Sequence, residues 1–233
     1  MNIIAFDTAT DVFSAGLLID KKRYYLSVDG GQKHSELIMD AADTLLGIAG
    51  AAKRDLHAVA CMEGPGSFTG LRIGFAASKG LALALGIPIL PLPTLDCMAF
   101  PYSFWPGIVL PVIDAKKKAF FTALYSQGKR LGDYLDIELK DLINTISAAA
   151  QEKNSPRLLV TGPAAAMAAS ALEEVFPGTV SCSFHERGFA MELLNLAAEN
   201  VIIDKDADNF SAGPVYIRKS DAELNKITDI RNG

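Results

Sequence analysis

Glu63-Gly64-Pro65-Gly66-Ser67-Phe68-Thr69-Gly70-Leu71-Arg72-Ile73-Gly74 follows an apolar run and opens a long apolar helix, and the reading of the fold turns on it. Glycines at 64, 66 and 70 let the chain turn sharply out of a strand, and the N–H groups at the start of the next helix form a ready anion site. Two readings stand: a phosphate or carboxylate cradle, and a tight strand-to-helix corner whose glycines only permit close packing. The spacing imitates a dinucleotide fingerprint, yet about twenty residues on, where a ribose-binding acid should end the next strand, the chain reads Leu90-Pro91-Leu92-Pro93. No Gly-Lys-Ser/Thr follows, which argues against a Walker P-loop, and Pro65 stands two residues before Ser67 where a nucleophile elbow needs glycine.

Upstream of the corner, Ile3 to Phe6, Phe13 to Ile19 and Tyr24 to Val28 read as strands, with Asp20-Lys21-Lys22 as a hairpin turn. A helix from Ser35 to Ile48 and a strand from His57 to Met62 lead into it. Downstream come a helix from Phe68 to Leu85 and a strand from Pro88 to Leu92, so the order is βββαβαβ. The second half repeats this order. Strands are expected at Ile108 to Ile113, Ala119 to Tyr125, Tyr134 to Leu139, Leu158 to Thr161 and Val180 to Phe184, with helices over Asp141 to Gln151, Ala164 to Val175 and Phe189 to Asn200.

Two landmarks recur in register: the first strand of each half ends in an acid, Asp7 and Asp114, and the fourth ends in Gly64-Pro65 and again in Gly162-Pro163. This self-similarity argues for two copies of an RNase H-like unit, each βββαβαβα. Two such units facing each other across a cleft give an α/β fold of actin-like (ASKHA), sugar-kinase-like architecture, in which ATP lies between the halves. The lobes are expected at residues 1–103 and 104–213, divided in the Pro- and Gly-rich stretch from Pro101 to Gly107, with a polar, loosely held tail at 214–233.

At 233 residues with half of them hydrophobic, the chain is long enough for a real core. Its three cysteines, Cys61, Cys97 and Cys182, sit in apolar surroundings and read as core thiols in a reducing compartment. A net charge of −5 gives no basic footprint for nucleic acid. The opening Met1 to Asp7 reaches an acid before a signal-peptide core forms, and the apolar run from Gly80 to Leu92 is interrupted by Pro88 and Pro91, so a cytoplasmic location without a membrane span is expected.

The chemistry of an actin-like ATPase needs glycines after the first strand, so that backbone wraps the phosphates, and a carboxylate holding the metal. Here the hairpin is Asp7-Thr8-Ala9-Thr10-Asp11-Val12, with no glycine before Gly16. Asp7 is either a ligand or an acid that caps the turn through its own backbone. Pro163 removes an N–H from the helix start after Gly162. His34, His57 and His185 lack ligand-spaced partners and read as surface or capping residues, and Lys116-Lys117-Lys118 reads as a solvated turn. No cofactor or metal is expected.

Ile4-Ala5-Phe6-Asp7-Thr8, His34-Ser35-Glu36-Leu37, Gly64 to Gly74, Lys79-Gly80-Leu81-Ala82, Pro93-Thr94-Leu95, Asp114-Ala115-Lys116 and Pro214-Val215-Tyr216-Ile217-Arg218 together resemble the TsaB (YeaZ) family, the non-catalytic partner in bacterial threonylcarbamoyladenosine biosynthesis on tRNA. The resemblance spans nearly the whole chain and is thinnest from Leu131 to Asn209. It implies pairing with the transferase TsaD, recruitment of the ATPase TsaE, and contact with tRNA only through the complex. TsaD carries a metal-binding His-x-x-x-His, and the corresponding positions here are Thr94 and Met98, which implies a scaffold rather than an enzyme. The alternative is an actin-like-fold nucleotide-binding enzyme, either a small-molecule kinase or a peptidase-like protein. A nucleotide site at Gly64 to Gly70 on a subunit boundary stays open.

The helix from Ser35 to Ile48 shows an apolar stripe at Leu37, Ile38, Ala41, Leu45 and Ile48, and a second at Met39, Ala42 and Leu46. The helix from Phe68 to Leu85 is apolar or small nearly all round. Either both helices are buried within one domain, or they form a partner face through Ser35, Met39, Ala42, Leu46, Gly70, Arg72, Phe75 and Lys79, used for a homodimer when the protein is alone and for TsaD in the heterodimer.

Overall fold

A computed structural model describes residues 1–31, 34–184, 187–200 and 211–218. In it the continuous apolar run at the start of the chain forms β1 (Ile3–Asp7), in which every residue is buried. Such burial is what a strand shows when helices cover both faces of its sheet. β2 (Phe13–Ile19) returns antiparallel to it and β3 (Lys22–Val28) returns again, around a two-residue turn in which Asp20 and Lys21 take φ of 49° and 68°. The chain then crosses over through α1 (His34–Ala49) to β4 (Ala58–Gly64), through α2 (Phe68–Leu85) to β5 (Ile89–Pro93), and enters α3 (Thr94–Ala99).

The second half runs β6 (Ile108–Asp114), β7 (Ala119–Ser126), β8 (Lys129–Glu138), α4 (Leu139–Glu152), β9 (Arg157–Thr161), α5 (Ala165–Glu173), β10 (Thr179–Cys182) and α6 (Ala190–Asn200). The sheets order as β3-β2-β1-β4-β5 and β8-β7-β6-β9-β10, the same path twice. In each, the first strand pairs antiparallel with the second and parallel with the fourth. This is the duplicated RNase H-like arrangement expected from the recurring Asp and Gly-Pro landmarks.

The packing forms layers. α1 and α2 cover the outer face of the first sheet through Ile38, Leu45 and Phe75, and α4 and α5 cover the outer face of the second through Leu142, Ile146 and Leu172. Between the sheets lies a shared core in which Leu95 and Met98 of α3 and Leu193 and Leu194 of α6 pack with Ile3, Met62, Val109 and Leu159. Hence α6, although it follows the second sheet in the chain, packs on β1 and β2 of the first.

Three local features differ from the expectations. α3 is a six-residue helix in a stretch to which the sequence reading assigned no element, too short for its periodicity to show. β8 begins at Lys129 rather than Tyr134, because an edge strand that is half exposed tolerates Lys129, Arg130 and Asp133, which break the apolar signature. Residues 214–218 are not loosely held: Val215 donates its N–H to the Glu63 carbonyl at 2.8 Å, and Arg218 pairs with Asp136. The rest of the expected tail, and His185, lie outside the described residues. No helix among the described residues is long and apolar enough to cross a membrane.

Candidate functional site: the interlobe cleft and the outer helical face

The glycine corner packs against the β1–β2 turn. A Cβ at Gly66 would stand 2.6 Å from the Ala9 carbonyl oxygen, one at Gly70 would run into the Thr8 carbonyl, and one at Gly74 into the Thr8 hydroxyl. The turn is hydrogen-bonded to the corner as well: Ser67 donates its N–H to the Ala9 carbonyl at 2.8 Å, and the Thr8 hydroxyl donates to the Gly70 carbonyl at 2.7 Å. The Gly70 N–H is capped by Ser67 Oγ at 3.2 Å. Of the two readings of the corner, close packing is the one these contacts express. Gly64, at φ 120°, lets the chain leave β4, and β4 slips register against β5 between Met62 and Gly64.

Asp7 lies at the carboxyl end of β1 with no solvent exposure. Its Oδ1 accepts from the Ala9 N–H at 2.9 Å, and its Oδ2 accepts from the Phe189 N–H at 2.7 Å and the Thr10 hydroxyl at 3.3 Å. Ser14 Oγ accepts from the Ala190 N–H at 3.0 Å beside it. Asp7 and Ser14 therefore satisfy N–H groups at the start of α6 from across the molecule, the work a capping residue ordinarily does from within the helix. Burial raises the Asp7 carboxyl above its ordinary value, against the three hydrogen bonds and the attraction of His34. A carboxylate so enclosed does not fit a metal–phosphate group.

Thr94 and Met98, one turn apart on α3, are both fully buried between the sheets, and neither fits the hard-metal pair that a His-x-x-x-His supplies. Among the described residues no three His, Cys, Asp or Glu side chains gather to hold a metal ion. His34, expected at the surface or as a cap, is buried with its ring 5.9 Å from that of Phe13, while His57 is exposed and accepts from the Asn2 N–H at 2.9 Å. Cys61 and Cys97 are buried free thiols, and burial pushes the Cys61 thiol up to about 12.

Between the lobes lies a cleft of about 530 Å³, walled by Ala9, Gly66 and Phe68 from the first half, by Asp114, Lys116, Lys117 and Phe121 from the second, and by Val215 to Arg218. Lys116, Lys117 and Lys118 all take positive φ, near 60°. The turn is pinned by Asp114, whose carboxylate accepts from Lys116 N at 2.7 Å and Lys116 Nζ at 2.8 Å and is held below its usual range by those bonds. Elsewhere between the halves, Asp96 of α3 accepts from the hydroxyls of Tyr125 and Tyr134, and Arg130 lies 3.9 Å over the Tyr134 ring. Burial, and then the charge of Asp96, raise the Glu63 carboxyl.

The residues assigned to a partner face separate. Ala42, Leu46 and Phe75 are buried in the first lobe's own core, at 0%, 3% and 3% exposure, and Gly70 is buried under the Thr8 carbonyl. The second apolar stripe of α1 thus packs inward as the first does, because α1 covers the sheet and α2 together. Ser35 and Arg72 are exposed, and Met39 and Lys79 are half-buried. Ile48, placed in the inward stripe by its spacing, is instead 67% exposed, and Leu83 of α2 is 70% exposed. Exposed Ala76 and Gly80 lie on α2 between Arg72 and Leu83. Spacing alone missed this outer set because a wide apolar arc has no gap to mark where burial stops.

The family model described as "TsaD: tRNA N6-adenosine threonylcarbamoyltransferase" matches residues 27–219. The tRNA threonylcarbamoyladenosine biosynthesis protein TsaB of Bacillus subtilis (strain 168) is 28% identical over 234 residues, covering 97% of this chain and 98% of that protein. YeaZ from Pseudomonas aeruginosa superposes with a TM-score of 0.76 at 25% identity, covering 93% of this chain and 99% of that one. ROK hexokinase from Thermus thermophilus, at 14% identity and a TM-score of 0.50 over 85% of this chain and 98% of its own, shares the fold alone. A match over most of the chain to the TsaD model, a full-length TsaB relative and the duplicated actin-like fold it shares with YeaZ agree, and the chain belongs to the TsaB (YeaZ) family.

Proposed function

We propose that this protein is a non-catalytic subunit of the complex that makes threonylcarbamoyladenosine on tRNA, scaffolding and activating a TsaD-type transferase and recruiting a TsaE-type ATPase. The observation that carries the reading is the enclosure of Asp7: the carboxylate best placed to hold a metal–nucleotide group is committed to the start of α6. Buried Thr94 and Met98 support it in the same sense. The partner surface is the outer face of α1 and α2, with Ser35, Met39, Arg72 and Lys79 joined by Ile48 and Leu83. This face is open on the isolated chain and apolar at its edge, so it serves a second copy when the transferase is absent, and the two assemblies exclude one another. With a net charge of −5 the protein meets tRNA only through the complex.

The deciding experiment is co-purification with the TsaD homologue of the same cell, followed by tRNA modification assays with and without this chain. Modification that depends on both proteins is expected. A transferase that works at full rate alone, or ATP turnover by this chain alone, would refute the reading.

A further inference from the structure

The carboxyl ends of β1, β4, β6 and β9, central strands of the two sheets, lead into the walls of the interlobe cleft. That is where open α/β sheets take their ligands. One wall of this cleft is the protein's own segment Val215 to Arg218, and its two ends are anchored on different lobes. On the first lobe, the Val215 N–H donates to the Glu63 carbonyl at 2.8 Å, and the Val215 carbonyl occupies the space a Cβ at Gly64 would need. The Tyr216 ring stacks on Phe68 with centroids 4.7 Å apart, and Arg72 lies 3.9 Å over the same Phe68 while donating from Nε to the Tyr216 hydroxyl at 3.2 Å. On the second lobe, Arg218 makes a two-pronged pair with Asp136 of β8 and donates from Nη1 to the Ala115 carbonyl at 2.7 Å.

The two anchors are of different kinds. The Arg72–Phe68–Tyr216 stack is a surface unit, since Arg72 is exposed. The Arg218–Asp136 pair has side chains only 26% and 22% exposed, so it is screened less than a surface pair, and its planar fork fixes geometry as well as charge. Pro214 holds the backbone entering the segment at one φ. In a two-lobed fold the angle between lobes is ordinarily set by what binds between them. Here the sheets meet in a shared core, and beyond it a piece of the chain spans the cleft from one lobe to the other.

We propose that Val215 to Arg218 is a clasp that holds the two lobes closed on each other without a bound ligand, and that Arg218–Asp136 is its lock. The clasp is independent of the partner reading given above. It also puts the cleft wall in contact with Arg72 on the outer face of α2, so the lobe angle and that face share one stacked unit.

Interlobe distances measured by pulsed electron paramagnetic resonance on the full chain test this, with labels at exposed Ala84 on α2 and Ser170 on α5 in a background where half-buried Cys182 is changed to Ser and the buried Cys61 and Cys97 are left. The wild type is expected to give one narrow distance. Arg218→Ala is expected to lose it to a broader distribution reaching longer distances, and the exchanged pair Arg218→Asp with Asp136→Arg to recover it. Asp136→Asn, which keeps shape and removes charge, serves if Arg218→Ala does not fold. A wild-type distribution in either folded single variant overturns the clasp.

Discussion

Asp7 sits fully buried at the carboxyl end of β1. Both its oxygens accept buried N–H groups, so Asp7→Ala leaves Ala9 and Phe189 with unmatched donors and is expected to cost about 2–3 kcal/mol in urea unfolding. The pH dependence has a definite sign. Burial raises the native carboxyl above its ordinary 3.8, so in the window from 3.8 up to the native value the folded protein holds a proton that the unfolded chain has released. Stability from this group is complete below 3.8 and falls as pH rises through the native value. The stability of wild type relative to Asp7→Asn should therefore decline with rising pH across that window, and a difference that grows instead would contradict a buried, raised carboxyl. At Gly70, where a Cβ meets backbone, alanine should cost about 1–3 kcal/mol by overpacking. At Gly80, on the same helix but open to solvent, alanine should stabilise by about 1 kcal/mol from helix propensity. Thermal melts of the two variants check both directions. The sequence marks Gly70 as part of the glycine-rich corner and leaves Gly80 unmarked; that the group approaching Gly70 is the Thr8 carbonyl is seen only in the structure.

At the scale of elements, most strands and helices were legible, because βαβ crossovers leave apolar runs of two distinct periods with Gly and Pro between them. α3 was not, being six residues long with a start at Pro93 that has no side-chain cap. The outer face of α1 and α2 was legible only in part: spacing set Ser35, Met39, Arg72 and Lys79 beside Ala42, Leu46 and Phe75, and only the latter three prove to be buried in the lobe's own core. The difference sets a test. Leu46→Asp buries an unpaired charge in the first lobe and should prevent folding, whereas Met39→Asp, at a half-buried site, and Arg72→Glu, which loses the Phe68 and Tyr216 contacts, should fold with a lowered melting temperature and weaken self-association and TsaD binding by about tenfold or more. Light scattering and pull-down read the outcome; undiminished association in both folded variants would place the interface elsewhere.

For the molecule as a whole, an enclosed Asp7 and buried Thr94 and Met98 lead to the expectation that the isolated protein turns over no ATP and that mild purification brings no stoichiometric transition metal with it. Hydrolysis assays and elemental analysis check this, and turnover abolished by Asp7→Ala would be the contrary result. The duplication itself was set by sequence alone. Asp7 with Asp114 and Gly64-Pro65 with Gly162-Pro163 recur in register because they end corresponding strands of the two sheets, where Gly64 and Gly162 both take positive φ, although the turn after Asp114 runs through three positive-φ lysines and the turn after Asp7 through none. Which groups those turns face was decided by tertiary structure. α6 returns to the first sheet and places the Phe189 N–H on Asp7, and Val215 to Arg218 comes back over the cleft to meet Gly64, Phe68 and Asp136. These contacts join residues more than eighty positions apart, and no period or propensity records where the chain lies when it returns.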